Sequence, residues 1–260
     1  MAHVTVDGDE YYYRISKRGI DKEHAVVCLH GAGAEGIVWA YQVSRLSKFF
    51  KIIAPDLPGH GRSNGSRLTL AKEYSAWLDQ FTSALGLSSI FLIGHSFGGA
   101  IAQEYVRAYP GKIKGLILVG TGTVFRLSRL YRSLYEQGID LLTENSGNAL
   151  SSSEIDVPDF FKQGFTMLRE VGNDALHDDL LTASLFDSSD WISSITRPVL
   201  IIAGSDDVIT ARTMTDNLNR DIPGSELCTI PGAGHMVMID RQNAFNEAVK
   251  RFIEKQFPLP

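Results

Sequence analysis

The run Ile90-Phe91-Leu92-Ile93-Gly94-His95-Ser96-Phe97-Gly98-Gly99-Ala100 decides how the chain is read. Four consecutive apolar residues read as a strand covered on both faces, and Ala100-Ile101-Ala102-Gln103-Glu104-Tyr105-Val106 continues with helical periodicity. Between them the backbone must reverse sharply, with Ser96 at the apex. Gly94 and Gly98 flank the serine where side chains would crowd the turn, so its hydroxyl projects in a strained, exposed geometry. The first turn of the helix then aims unpaired backbone N–H groups at whatever the serine attacks. Gly-x-Ser-x-Gly alone recurs by accident. The strand before it, the helix after it and the small residues Gly99 and Ala100 behind it give it the form of a nucleophile elbow.

A chain of 260 residues and 28.6 kDa is long enough for one large α/β domain with an inserted subdomain. Its 44% hydrophobic and 21% charged residues, net charge of −5 and pI near 5.8 are those of a soluble globular protein. No block of Lys and Arg resembles a nucleic-acid footprint, and no apolar run approaches a membrane span, so neither partner is expected. Met1 to Glu10 is polar and alternating, without the basic start and apolar middle of a signal peptide, which leads to the expectation of a cytoplasmic protein. Cys28 and Cys228 fall in predicted strands, where a thiol acts as a small hydrophobe rather than a disulfide or metal partner.

Outward from the central run the chain alternates strands and helices. His3–Asp7 and Glu10–Lys17 read as a hairpin about Asp7-Gly8-Asp9. Ala25-Val26-Val27-Cys28-Leu29 is a short buried strand running into His30-Gly31-Ala32-Gly33-Ala34, whose glycines leave backbone amides bare at the sheet's carboxyl edge. His30 is expected to steady that loop through a hydrogen bond. Phe49 to Pro55 is a further strand, followed by the turn-rich Asp56-Leu57-Pro58-Gly59-His60-Gly61-Arg62-Ser63. Asp56 and His60 read there as parts of backbone punctuation rather than catalysts. Tyr74, Trp77, Leu78, Phe81 and Leu85 recur at helical spacing, with Gly86 as a stop.

After Pro110-Gly111 a strand at Ile113–Val119 implies right-handed crossovers and a mostly parallel sheet. The alternation then lapses. Val124–Gly138, Asp140–Ala149, Phe160–Val171 and Leu176–Phe186 are amphipathic or irregular pieces, with joints at Ser151-Ser152-Ser153 and Pro158. Strands resume at Pro198–Gly204 and Glu226–Ile230, with helices at Ala211–Leu218 and Asn243–Phe252. The expected organisation is a core of residues 1–122 and 196–260, with a helical cap of residues 123–195 inserted over the sheet edge.

A serine hydroxyl needs a base to take its proton and donors for the charge that appears on the attacked carbonyl oxygen. His235, in Pro231-Gly232-Ala233-Gly234-His235 after the last strand, can reach over the sheet edge toward Ser96. Asp207, in Ser205-Asp206-Asp207-Val208-Ile209, can orient that imidazole. The order Ser96, Asp207, His235 suits this architecture.

At these residues the chain resembles the α/β-hydrolase superfamily. The resemblance covers nearly the whole length outside the cap and rests on His30-Gly31-Ala32-Gly33, Asp56 to Ser63, Gly94 to Gly99, Gly204-Ser205-Asp206-Asp207 and Gly232-Ala233-Gly234-His235. It implies an α/β fold of mostly parallel strands with antiparallel N-terminal strands and helices on both faces. It selects Asp207 over Asp206 as the acid, and implies an oxyanion hole from the amides of Phe97 and Ala32, with Gly33 the fallback. Serine at the apex is unlike the haloalkane dehalogenases and soluble epoxide hydrolases, which carry aspartate there.

In the cap, Arg126, Arg129 and Arg132 recur every third residue, so a helix brings them along one side. Their ordinary reading is a solvated face. The resemblance in layout to pimeloyl-carrier methyl-ester esterases implies a sharper one, in which they receive an acidic substrate tail or an acidic carrier protein. The expected activity is hydrolysis of a small or medium carboxylic ester through an acyl-enzyme, with no metal or organic cofactor, by a monomer or homodimer. Two alternatives stand beside it: cleavage or rearrangement of a carbon–carbon bond with the same triad, and a ligand receptor or signalling module on the same fold.

Overall fold

A computed structural model describes residues 2–20, 22–142, 166, 169 and 174–257. The strands are β1 (Ala2–Val6), β2 (Asp9–Ile15), β3 (Ala25–Leu29), β4 (Lys51–Pro55), β5 (Ile90–His95), β6 (Ile113–Val119), β7 (Val199–Gly204) and β8 (Glu226–Ile230). They form one sheet in the order β1-β2-β4-β3-β5-β6-β7-β8. β1 pairs antiparallel with β2, β2 antiparallel with β4, and every later pairing is parallel. The Asp-Gly signal at the hairpin holds: Asp7 and Gly8 take φ of 50° and 94°, both left-handed.

The described helices are α1 (Ala40–Arg45), α2 (Ala71–Ala84), α3 (Phe97–Ala108), α4 (Arg126–Glu136), α5 (Asp174–Ser184), α6 (Arg212–Asp221), α7 (Val237–Asp240) and α8 (Gln242–Gln256). Alternate residues of the central strands feed two cores. Leu92, Leu116, Leu118 and Ile201 join Tyr74, Leu78, Phe81 and Tyr105 of α2 and α3 on one face. Phe91, Ile93, Ile117, Val119 and Ile202 join Trp39, Phe245, Val249 and Phe252 on the other. That period of two explains why the central strands are apolar at every position: both faces are covered. Burying one such Leu, Ile or Phe contributes about 1.5–3 kcal/mol.

From β3 the chain first steps outward to β4 and then returns past β3 to β5. This reversal opens a crevice between the carboxyl ends of β3 and β5, where the crossovers leave in opposite directions. The loops after β3, β5, β7 and β8 therefore converge on one edge.

Between β6 and β7 the chain leaves that edge and is joined to itself where it departs and returns. Val124 bridges Asp187, the Ser188 N–H donates to the Thr123 carbonyl at 3.0 Å, and the Ser188 hydroxyl donates to Gln103 Oε1 at 2.8 Å. α4 and α5 share their own apolar cluster of Leu127, Tyr131, Leu134, Leu141, Leu176 and Leu180, against which Ala32 and Ile209 of the sheet edge pack. Phe125, Ala183, Phe186, Ile192 and Ile195, all within the expected cap, pack in the same cluster as the residues of α3. The pieces expected at Asp140–Ala149 and Phe160–Val171, with the joints at Ser151–Ser153 and Pro158, lie outside the described residues except at positions 140–142, 166 and 169.

Candidate active site

Ser96 stands between β5 and α3 with φ 50° and ψ −118°, a conformation an L-residue adopts only when its surroundings enforce it. The enforcement is visible on both sides. A Cβ on Gly94 would run into the Gly98 carbonyl, and one on Gly98 would lie 2.5 Å from the His30 carbonyl oxygen. The Ser96 N–H donates to Val119 O at 2.9 Å, while its carbonyl accepts from Gly99 N at 2.8 Å and Thr121 Oγ1 at 3.0 Å.

Asp207, just past β7, is almost fully buried, and each of its oxygens is engaged. Oδ1 accepts the N–H groups of Ile209 and Thr210, both at 2.8 Å, and Oδ2 accepts from His235 Nδ1 at 2.9 Å. Burial works against the charge, but the imidazole beside Asp207 and these hydrogen bonds hold its carboxyl below the usual carboxylate range. Asp206 turns away, its Oδ1 accepting from the Ser205 hydroxyl at 2.6 Å.

The tautomer of His235 follows from its neighbours. The Thr210 hydroxyl donates to the Gly120 carbonyl at 3.0 Å, so at 2.9 Å from His235 Nδ1 it can only accept. Facing two acceptors, Nδ1 carries the proton, and Nε2 is the ring's accepting nitrogen. The His235 backbone is fixed as well: His95 Nε2 donates to its carbonyl at 3.0 Å, with the two rings 4.7 Å apart. Burial, followed by the proximity of His235, pushes the His95 imidazole down to about 3, so it is a neutral donor. Its Nδ1 is buried with no hydrogen-bond partner among the described residues.

Ser96 and His235 border one cavity of about 410 Å³, together with Ala32 and Phe97. Its remaining wall is mainly apolar, from Ile37, Phe125, Leu127, Leu180, Ile209 and Met214, while Glu35 and Arg126 add one charge of each sign. Phe97 opens α3, so its N–H has no carbonyl one turn back within the helix. In the loop after β3 the Ala34 N–H donates to Gly31 O at 3.2 Å and the Gly33 N–H to Asp179 Oδ2 at 2.8 Å. The fallback amide, Gly33, is thus engaged by α5, and Ala32 lies between two tethered residues.

The alpha/beta hydrolase fold family matches residues 24–242, a span that holds every element of this edge. The chain belongs to that family. An uncharacterized protein of Mycobacterium tuberculosis is 26% identical over 281 residues, covering 98% of this chain and 81% of that one. The 2-hydroxy-6-oxononadienedioate/2-hydroxy-6-oxononatrienedioate hydrolase of Burkholderia vietnamiensis is 27% identical over 291 residues, covering 97% and 94%. A solved thermophilic esterase superposes with a TM-score of 0.76 at 28% identity, over 98% of each chain.

Within this α/β hydrolase the three arginines do not act as one surface. Arg126 borders the cavity of Ser96, whereas Arg129 pairs with Asp187 at 2.8 Å and Arg132 with Glu136 at 2.8 Å. Arg132 borders a different cavity, of about 500 Å³, with Arg67, Tyr135 and Asp178. The reason is helical geometry: each step of three residues falls short of a full turn, so Arg126 and Arg132 point roughly 120° apart. The loop after β4 keeps its expected scaffolding role. Asp56 accepts from Arg14 at 2.7 Å and from the Gly36 and Arg62 amides, and His30 accepts the Leu57 N–H at 3.0 Å while its Nδ1 donates to Gly31 O.

Three polar residues at this edge escape sequence reasoning. Thr210 is an unmarked residue in a loop, and its hydroxyl matters only because Gly120 and His235 are brought to it by other strands. His95 is hidden inside an apolar strand. His60 reads as part of a turn, yet it is buried against Asp179 of α5 at 2.9 Å, a partner 119 residues away.

Proposed function

We propose that the chain is a serine hydrolase acting on a carboxylic ester of small or medium size through an acyl-enzyme. The observation that carries this reading is the commitment of the His235 Nδ1 proton to Asp207 and Thr210, which leaves Nε2 to accept a proton in the cavity that holds the strained Ser96. Ser96 Oγ attacks the ester carbonyl while His235 Nε2 takes its proton, and Asp207 stabilises the imidazolium. The carbonyl oxygen becomes an oxyanion and accepts from the Ala32 and Phe97 amides. Collapse expels the alcohol, which receives the proton from His235. Water then attacks the acyl-enzyme by the same path and releases the acid, returning the proton to Ser96.

Residues 123–195 form a cap in this reading, and the apolar wall that α4 and α5 contribute through Leu127, Leu180 and Ala183 sets the length of the acyl group. Arg126 is the cap arginine assigned to substrate. The relative that hydrolyses 2-hydroxy-6-oxononadienedioate supports a second reading, carbon–carbon bond hydrolysis with the same residues.

The test is hydrolysis of p-nitrophenyl esters of graded acyl length by the wild type and by Ser96→Ala. Fast release with a chain-length optimum, lost in Ser96→Ala, is the expected result. Slow release at every length, or release indifferent to Ser96, overturns the esterase reading, and turnover of vinylogous diketones then decides for carbon–carbon chemistry.

A further inference from the structure

Asp179 lies on α5, outside the sheet, yet its side chain reaches the loop after β3 and is almost completely buried there. Oδ2 takes two hydrogen bonds, from the Gly33 N–H at 2.8 Å and from His60 Nε2 at 2.9 Å. Its other oxygen is buried and has no hydrogen-bond partner among the described residues. His60 presents its second nitrogen, Nδ1, to the Pro58 carbonyl at 2.9 Å. Both ring nitrogens thus face oxygens, the arrangement of an imidazolium, with a proton on each nitrogen, against a carboxylate. Burial lowers the His60 pKa, but the hydrogen bond and charge of Asp179 outweigh it, and the net direction is upward. Arg67 opposes the charge, and the neutral His30 ring lies 5.1 Å away.

A buried carboxylate facing the sheet edge is expensive unless something requires it. Packing alone does not: a leucine would fill the space between α5 and the loop. What only an acceptor can do is hold the Gly33 amide. The loop is pinned from the sheet side at Gly31, whose carbonyl accepts from His30 Nδ1 and Ala34 N, and from the insertion side at Gly33. Gly33 itself takes φ 65°, so its orientation depends on that tether.

We propose that Asp179, neutralised by His60, is a positioning residue that fixes residues 31–34 so that the Ala32 N–H faces the acyl oxygen, making the oxyanion site complete only while α5 is seated. This rests on the ester-hydrolase reading. The hydroxyl of Ser96, the base and the acid all come from the core, whereas the second oxyanion donor is held from the insertion.

The experiment compares the full-length wild type with Asp179→Asn and Asp179→Ala. An amide oxygen at position 179 can still accept from Gly33 but carries no charge to hold a proton on both His60 nitrogens, so the pair loosens and kcat on the best p-nitrophenyl ester falls about 10- to 100-fold in Asp179→Asn, with KM changed less than threefold. Affinity for a trifluoromethyl ketone, which forms the tetrahedral oxyanion adduct, weakens by a similar factor. Nitrogen-15 NMR of labelled histidines reads the pair without turnover: His60 is doubly protonated at pH 7.5 in the wild type and neutral in Asp179→Asn. A wild type with neutral His60 at that pH, or variants that lose thermal stability while the folded enzyme keeps its kcat and ketone affinity, overturns the proposal. Absence of Ser96-dependent ester turnover in the wild type, with the His60 signature intact, faults the ester reading instead.

Discussion

His235 shows how much of a proposed mechanism can rest on one proton. Its Nδ1 is shared between Asp207 Oδ2 and Thr210 Oγ1, each at 2.9 Å, and the two acceptors differ in consequence. Replacing Asp207 with Asn puts an amide donor or a weaker acceptor against Nδ1 and favours the wrong tautomer. On the proposed assignment kcat falls by roughly 10³- to 10⁴-fold, the scale set by serine proteases. Thr210→Val removes the neutral acceptor alone, and a loss of no more than about tenfold is expected, since neutral hydrogen bonds are worth about 1 kcal/mol. Steady-state kinetics on one ester measures both; equal losses would show that the two acceptors share the task. At this scale sequence reading worked unevenly. Ser96, Asp207 and His235 are set in glycine-rich turns at strand ends and stand out. Thr210 and His95 do not, because a hydroxyl or imidazole gains its role only from atoms that folding delivers from distant strands.

The elements divide according to how many faces they bury. β5 is covered on both sides, so its apolar run, and the elbow that ends it, are plain from composition. α4 is covered on one side only, and on its exposed face Arg129 and Arg132 have partners of their own, while of the three arginines Arg126 borders the Ser96 cavity. Arg126→Ala is therefore expected to reduce kcat/KM for an acyl chain ending in carboxylate by about tenfold relative to its methyl-capped counterpart. The changes Arg129→Ala and Arg132→Ala leave that ratio within twofold. A matched ester pair measures it, and an equal loss on both esters removes Arg126 from substrate recognition. The tie of α5 to the loop after β3 was beyond reach of the sequence for the same reason. Asp179 and His60 are polar residues in unremarkable settings, and only their burial against each other gives them meaning.

For the molecule as a whole, buried histidines set the response to acid. His30 and His95 are held neutral inside the sheet edge, each with its pKa pushed down to about 3, by burial above all. The unfolded chain binds a proton at each below about pH 6.5. Between those limits the unfolded state takes up protons that the native state refuses, so stability falls as pH falls, by up to about 1.4 kcal/mol per pH unit for each group. His60 has the opposite sign, since its raised pKa adds stability below its unfolded value and loses it as pH rises through the folded one. His24, lowered by burial above all, acts in the same direction as His30 and His95, and three histidines against one predict a lower Tm at pH 5 than at pH 7, with a smaller drop in His95→Gln; a flat or rising Tm would contradict it. The mostly parallel sheet was legible because continuous apolar runs ending in Gly-rich turns alternate with helical spacings through the chain, whereas its strand order and the region between β6 and β7 carry no such signal. The attachment of that region nonetheless has a consequence of its own. The chain departs and returns across the bridge of Val124 to Asp187, so the ends are already as close as neighbouring strands require. Closing a loop at that neck costs only about 0.6 kcal/mol more for each doubling of its length. Residues between the two can change in length at little expense to the sheet, but on the proposed reading any exchange must keep the ties of Asp179 to Gly33 and His60, so the part of the insertion free to diversify substrate range is what lies beyond that anchor.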